Sequence, residues 1–171
     1  FELIEAYKFF KFNKTKYKIM IHPQSYVHSI IRFKNGLIKM ILYNADMQIP
    51  ISNILYNNKN YLLNASKIKI KTLNKLSFQK VDAIAFPSIK LINKCFTLGF
   101  STPIIINAAN EVLVSLFLEE KIGFLDIVGT INKVLKDKEF KKYARRKAKS
   151  IKDIKIIDNW ARLKTINMCV R

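Results

Sequence analysis

Two histidines, His22 and His28, stand six residues apart in the run His-Pro-Gln-Ser-Tyr-Val-His, with the hydroxyl of Ser25 between them. A carboxylate, Glu2, opens the chain with Glu5 three residues on, and an Asp46-Met47 pair follows downstream. Such groups suit a hard divalent cation and an anionic, oxygenated substrate, because these ions prefer oxygen ligands. One carboxylate does not hold Mg²⁺ or Mn²⁺ alone, so the pattern reads as part of a site. Taken singly, each histidine is more simply a structural ring. Two acids in a first helical turn are more simply a solvated start that the helix dipole favours. Other chemistries are excluded. Four glycines in the whole chain leave no GxGxxG or Walker-type loop at working spacing. There is no serine-nucleophile elbow. Cys95 and Cys169 have no Cys or His neighbour at zinc spacing.

The elements that must position these groups are readable from their periods. Residues 1–12 are helix-like, with Leu3, Ala6, Tyr7 and Phe10 forming a stripe at helical spacing. A short β-like run at 17–21 is broken by Pro23, which cannot donate to a ladder. Residues 26–33 alternate, Lys34-Asn35-Gly36 turns the chain, and 37–42 returns as the second strand of a hairpin. Asp46 is a fair N-cap and Pro50 a fair early residue for a short helix to about Leu55. Residues 56–63 read as a surface connection. The alternation at 67–71 reads as an edge strand, with an extended linker as the equal alternative. From Pro87 the rhythm becomes helical. A helix over 89–98 stops at Gly99, Pro103 restarts the chain, and 104–120 is the strongest helix. Gly123 and Asp126 precede a helix at 127–135, and a basic stretch at 136–149 is expected to be a solvated loop. The last helix, 151–170, is expected to bury Ile154, Ile157, Trp160, Ala161 and Leu163. The string Asn107-Ala108-Ala109-Asn110-Glu111 points to close backbone packing with satisfied amides. The fold class is therefore α+β. A β-hairpin with flanking helices forms part of one domain (1–58), 59–86 links, and 87–171 is an all-α helical bundle.

Composition bounds the rest. In 171 residues, half of them apolar, a core can be buried, and no apolar run reaches the ~18 residues of a membrane span. Thirty-one basic against 12 acidic residues give a formal charge of +19. That raises a rival class, a basic helical module that binds nucleic acid electrostatically. Most of these cations are Lys, in a chain also rich in Ile and Asn. This usage fits an A/T-biased coding sequence better, and no nucleic-acid partner is expected. Two cysteines without an export signal point to reduced thiols and a cytoplasmic location. The chain opens on Phe1, already in helical rhythm, and is expected to be a fragment.

Five stretches then occur in order: residues 1–6 (Phe-Glu-Leu-Ile-Glu-Ala), 21–29 (Ile-His-Pro-Gln-Ser-Tyr-Val-His-Ser), 46–51 (Asp-Met-Gln-Ile-Pro-Ile), 107–112 (Asn-Ala-Ala-Asn-Glu-Val) and 121–127 (Lys-Ile-Gly-Phe-Leu-Asp-Ile). Together they resemble the 1-deoxy-D-xylulose 5-phosphate reductoisomerase family, over the C-terminal portion of that enzyme. The resemblance implies conversion of 1-deoxy-D-xylulose 5-phosphate to 2-C-methyl-D-erythritol 4-phosphate in the non-mevalonate route to isoprenoids. A divalent metal (Mg²⁺, Mn²⁺ or Co²⁺) holds the substrate's oxygens, and NADPH reduces the rearranged aldehyde. It also implies a homodimer, to which the hairpin could contribute. Glu2 matches the last carboxylate of the family's Asn-Lys-Gly-x-Glu helix start, and so carries the metal-binding, substrate-contacting and catalytic role. Met47 matches a methionine that lies against the nicotinamide, as a polarizable thioether can. His28 matches a histidine near the substrate, while His22 and Ser25 shape the turn. The other metal carboxylates, the phosphate-gripping Asn and Lys and the NADPH-binding domain would precede Phe1. The chain departs from the family at Ala45, commonly proline, at 56–58 in place of Trp-Pro, and at 64–67.

Overall fold

The computed structural model describes residues 1–56 and 68–169. The chain falls into two compact units, Lys18–Val81, and Phe1–Tyr17 together with Asp82–Arg171. The architecture is α+β, with small antiparallel sheets in the first unit and helices in the second.

In the Lys18–Val81 unit, strand β1 (Met20–Ile21) leads into the His-Pro-Gln-Ser turn and strand β2 (Val27–Arg32) leaves it. β2 pairs antiparallel with β3 (Ile38–Leu42). Local chemistry closes this hairpin as expected. Gly36 takes φ +88°, its N–H reaches the Phe33 carbonyl at 3.2 Å, and Asn35 Oδ1 accepts the Leu37 N–H at 3.1 Å. Val27 faces Leu42 while Ser29 faces Ile41, so His28 is an extra residue, a β-bulge. Helix α2 (Gln48–Leu55) follows. Much later β4 (Gln79–Lys80) returns beside β1, Met20 opposite Lys80 and Ile21 opposite Gln79.

Two expectations are corrected in this part of the chain, and a third falls largely outside the described residues. The strand read at 17–21 is confined to Met20–Ile21, and a 3₁₀ turn, Lys14–Lys16, precedes it. The edge strand read at 67–71 does not form. Lys67 lies outside the described residues, and Ile70–Lys75 is a 3₁₀ turn with Ile70 83% exposed. Alternation makes a strand only where cross-strand pairs reward it, and among the described residues no strand pairs with this one. The connection at 56–63 lies, from residue 57 onward, outside the described residues.

The second unit holds α1 (Glu2–Phe10), α3 (Ile89–Thr97), α4 (Thr102–Leu118), α5 (Phe124–Val134), α6 (Phe140–Ala144) and α7 (Ile151–Cys169). α4 is its axis and packs on α3, α5, α6 and α7. Ile105, Leu113, Ile131, Val134 and Ile157 are fully buried, each worth roughly 1.5–3 kcal/mol of removed apolar surface. Ala108, Ala109, Ala144 and Ala161 are fully covered as well. The alanine pair read as a packing element is one, in the middle of α4. Gly123 caps α5, its N–H donating to Asp126 Oδ2 at 2.9 Å. α1 joins this unit through buried Ile4 and through Tyr7, whose ring lies 4.7 Å from that of Phe96. The stripe expected on α1 is thereby rotated, and Phe10 stays 65% exposed. The basic stretch at 136–149 is not simply a solvated loop. It carries α6, which buries Phe140 and Ala144 and leaves Lys141 and Lys142 in water. α7 buries Ile157, Ala161 and Thr165, whereas Ile154 and Leu163 stay exposed.

Candidate functional site

Glu2 is the first residue of α1, exposed, with Glu5 on the same first turn. Their carboxylates stand at the positive end of the helix dipole. Among the described residues no group of three or more His, Cys, Asp or Glu could hold a metal ion. The donors among the described residues therefore do not by themselves cluster into a divalent-cation site.

His28 and Met47 belong to the other unit, and local structure links them. The bulge turns His28 so that its ring stacks on Tyr43, centroids 3.8 Å apart and planes 11° from parallel. Its Nε2 lies 3.0 Å from the Tyr43 carbonyl oxygen. A carbonyl only accepts, so Nε2 carries the hydrogen, and in the neutral ring Nδ1 holds the lone pair. The Tyr43 N–H in turn donates to the Tyr26 carbonyl at 3.1 Å. From Tyr43 the chain runs to Asp46, whose Oδ1 accepts the Gln48 N–H at 2.9 Å and whose carbonyl accepts the Ile49 N–H at 3.2 Å. Those two bonds set the first turn of α2. Met47, at its N-cap position, is left 66% exposed. Asp46 thus does the work expected of a cap from one residue ahead of the N-cap position.

His22 is satisfied differently. Its Nδ1 lies 2.8 Å from the Ser77 carbonyl oxygen, and its ring stacks on Phe78 at 4.9 Å. Ser25 adopts φ +55°, a left-handed conformation uncommon for a non-glycine residue, and its N–H closes the turn on the His22 carbonyl. Tyr43, Gln24 and Ser77 were not foreseen as partners. Their signal is tertiary, a cross-strand count and two contacts more than fifty residues apart in sequence.

In the helical unit an open groove of about 600 Å³ is lined by Asn110, Glu111, Val114, Leu116, Arg162 and Ile166. Arg162 bonds Asp158 and Glu111, and Asn107 Nδ2 donates to Glu111 Oε1 at 2.8 Å. Hydrogen bonds from Arg162, then from Asn107, hold the Glu111 carboxyl below its ordinary range. These groups satisfy one another, and the motif residues here serve packing between α4 and α7. Across the unit, partial burial pushes the Asp137 carboxyl up. Hydrogen bonds from the Glu139 N–H and Lys164 outweigh it and leave the carboxyl below its usual value.

Comparison with known proteins agrees with this anatomy. Residues 42–164 match the family described as DXP reductoisomerase C-terminal domain. The 1-deoxy-D-xylulose 5-phosphate reductoisomerase of Pelagibacter ubique is 41% identical over 170 residues, which is 99% of this chain and 44% of that protein. The Zymomonas mobilis protein of the same name is 35% identical over 95% of this chain and 40% of its own length. A solved structure of the Zymomonas mobilis reductoisomerase in complex with NADPH superposes with a TM-score of 0.86 at 33% identity, covering 99% of this chain and 44% of that one. A reductoisomerase crystal structure with NADPH, fosmidomycin and magnesium gives 0.90 at 28% identity, over 98% and 42%. The chain thus spans less than half the length of the curated relatives it matches. Over that span it belongs to the 1-deoxy-D-xylulose 5-phosphate reductoisomerase family, in the region of the family's C-terminal domain.

Proposed function

We propose that this chain supplies the C-terminal part of an NADPH- and divalent-metal-dependent reductoisomerase. The enzyme converts 1-deoxy-D-xylulose 5-phosphate to 2-C-methyl-D-erythritol 4-phosphate in non-mevalonate isoprenoid synthesis. The observation that carries the reading is similarity along 99% of the chain to proteins of that name. Relatives of known structure hold NADPH and magnesium, which supports those cofactors, with Mn²⁺ or Co²⁺ as alternative ions. Residues 1–58 belong to the catalytic domain, 59–86 link, and 87–171 form the helical C-terminal domain.

Each residue of the site has a role on this reading. Glu2 completes the metal's carboxylate set and contacts substrate. His28 borders the substrate, held in orientation by Tyr43. The exposed Met47 thioether lies against the nicotinamide. When bound, the metal polarises the substrate's oxygens and NADPH supplies the hydride. The chain brings one metal ligand and no dinucleotide loop, so by itself it is inactive. The complete enzyme is a cytoplasmic homodimer. The test is NADPH oxidation by the complete chain with substrate and Mg²⁺. Glu2→Gln should lower turnover by about a hundredfold or more, since a neutral amide replaces a charged ligand. Undiminished turnover would remove Glu2 from the site.

A further inference from the structure

The turn that carries His22 and Gln24 is tied to a distant segment by side chains, at the point where the sheet itself stops. β1 and β4 share only two residue pairs, Ile21 with Gln79 being the one nearest the turn. Pro23 has no N–H, so a backbone ladder cannot continue through it. His22 and Gln24 take over. The His22 ring covers Phe78, and its Nδ1 meets the Ser77 carbonyl. Gln24 grips the same residue from both sides. Its Nε2 donates to Ser77 Oγ at 2.8 Å, and its Oε1 accepts the Ser77 N–H at 3.2 Å. Beyond the turn, Ser25 sends the chain into β2, where His28 binds the Tyr43 carbonyl and Tyr43 leads to Asp46 and Met47. Side-chain bonds at Ser77 and at Tyr43, joined by the short chain segments 25–28 and 43–46, thus connect Ser77 to the Met47 loop.

We infer that His22 and Gln24 are positioning residues, which lock the turn onto the Ser77 segment and thereby set the placement of His28 and Met47. The inference rests on the reductoisomerase reading above. His22 acts through one atom. The Ser77 carbonyl can only accept, so Nδ1 bears the hydrogen. Its Nε2 is buried with no hydrogen-bond partner among the described residues. Two substitutions separate this bond from packing. An Asn amide N–H at position 22 falls near where Nδ1 is, and a Gln amide falls near where Nε2 is. Both lose the stack on Phe78, and only His22→Asn keeps the donor.

The experiment uses the complete reductoisomerase chain, with steady-state kinetics and amide hydrogen exchange on His22→Asn, His22→Gln and Gln24→Leu. Nitrogen NMR of the histidine-labelled protein reads the tautomer. The expected results are a hydrogen on Nδ1 of His22 and Ser77 exchange roughly tenfold faster in Gln24→Leu. KM for NADPH should rise roughly tenfold or more in His22→Gln and Gln24→Leu, with His22→Asn close to the unsubstituted enzyme. A hydrogen on Nε2, identical behaviour of the two position-22 variants, or a loosened Ser77 with unchanged KM and kcat would overturn the inference. An unsubstituted complete chain without turnover would overturn the reductoisomerase reading, and this inference with it.

Discussion

Gly99 has φ +150°, and a Cβ built there would collide with the Ala144 carbonyl, its carbon 2.7 Å away. Gly99→Ala is therefore expected to cost about 3 kcal/mol, from backbone strain and overpacking together. Gly129 makes the control. It lies in α5 with open space where a Cβ would go, so Gly129→Ala should stabilise by about 0.5–1 kcal/mol. Urea unfolding of both variants measures the pair. Cys95 tests burial. Desolvation pushes its thiol from an ordinary 9.0 up to about 11. The unfolded chain then ionises at lower pH than the folded one. This contribution to stability is complete below about pH 9 and is lost as pH rises toward 11. Alkylation of the native protein near pH 8 should accordingly spare Cys95, and modification at the rate of a free thiol would contradict its burial. That Gly99 ends a helix was legible, because a stop signal is local. That Ala144 forbids a side chain there was not, because the contact joins residues 45 apart.

At the scale of elements, α7 shows where a periodic reading succeeds and where it slips. The helix itself was legible from its spacing, as were α3, α4 and the hairpin with its Asn-Gly turn. Which face α7 buries was not, because apolar residues occur on several sides of it. The core took Ile157, Ala161 and Thr165, at strict i, i+4, i+8 spacing, rather than the bulkier Ile154 and Leu163. Ala161→Leu should thus cost roughly 1–3 kcal/mol through overpacking, while Leu163→Ala, at a site 63% exposed, should stay within about 0.5 kcal/mol. Thermal unfolding midpoints decide it, and equal effects would mean the helix is rotated from the position described. The His28 bulge was illegible for a related reason. It exists only as a mismatch between two strands, Val27 to Ser29 against Leu42 to Ile41, and neither strand announces it alone. Residues 67–71 alternate as a strand would, yet the described part, 68–71, forms none, since no paired neighbour among the described residues makes the alternation pay.

For the molecule as a whole, the residues proposed for the chemistry are few. Glu2 stands on one unit, His28 and Met47 on the other, and the described residues hold no three-ligand metal cluster. The hairpin leaves Ile30, Ile31, Ile38 and Ile41 between 43% and 55% exposed. No helix among the described residues is long and apolar enough to cross a membrane. The family was legible because five short motifs keep their order, and the fold class because hairpin and helices announce themselves locally. For the proposed site the sequence offered only scattered residues, and the side-chain partners that orient His22 and His28 are contacts its pattern does not name. The claim that this chain holds one part of a divided catalytic apparatus is tested most directly by following NADPH oxidation with 1-deoxy-D-xylulose 5-phosphate and Mg²⁺ or Mn²⁺. The 171-residue chain is compared with the same sequence completed by its upstream residues. Turnover by the completed enzyme and none by the 171 residues is the predicted result, and turnover by the 171 residues alone would contradict it.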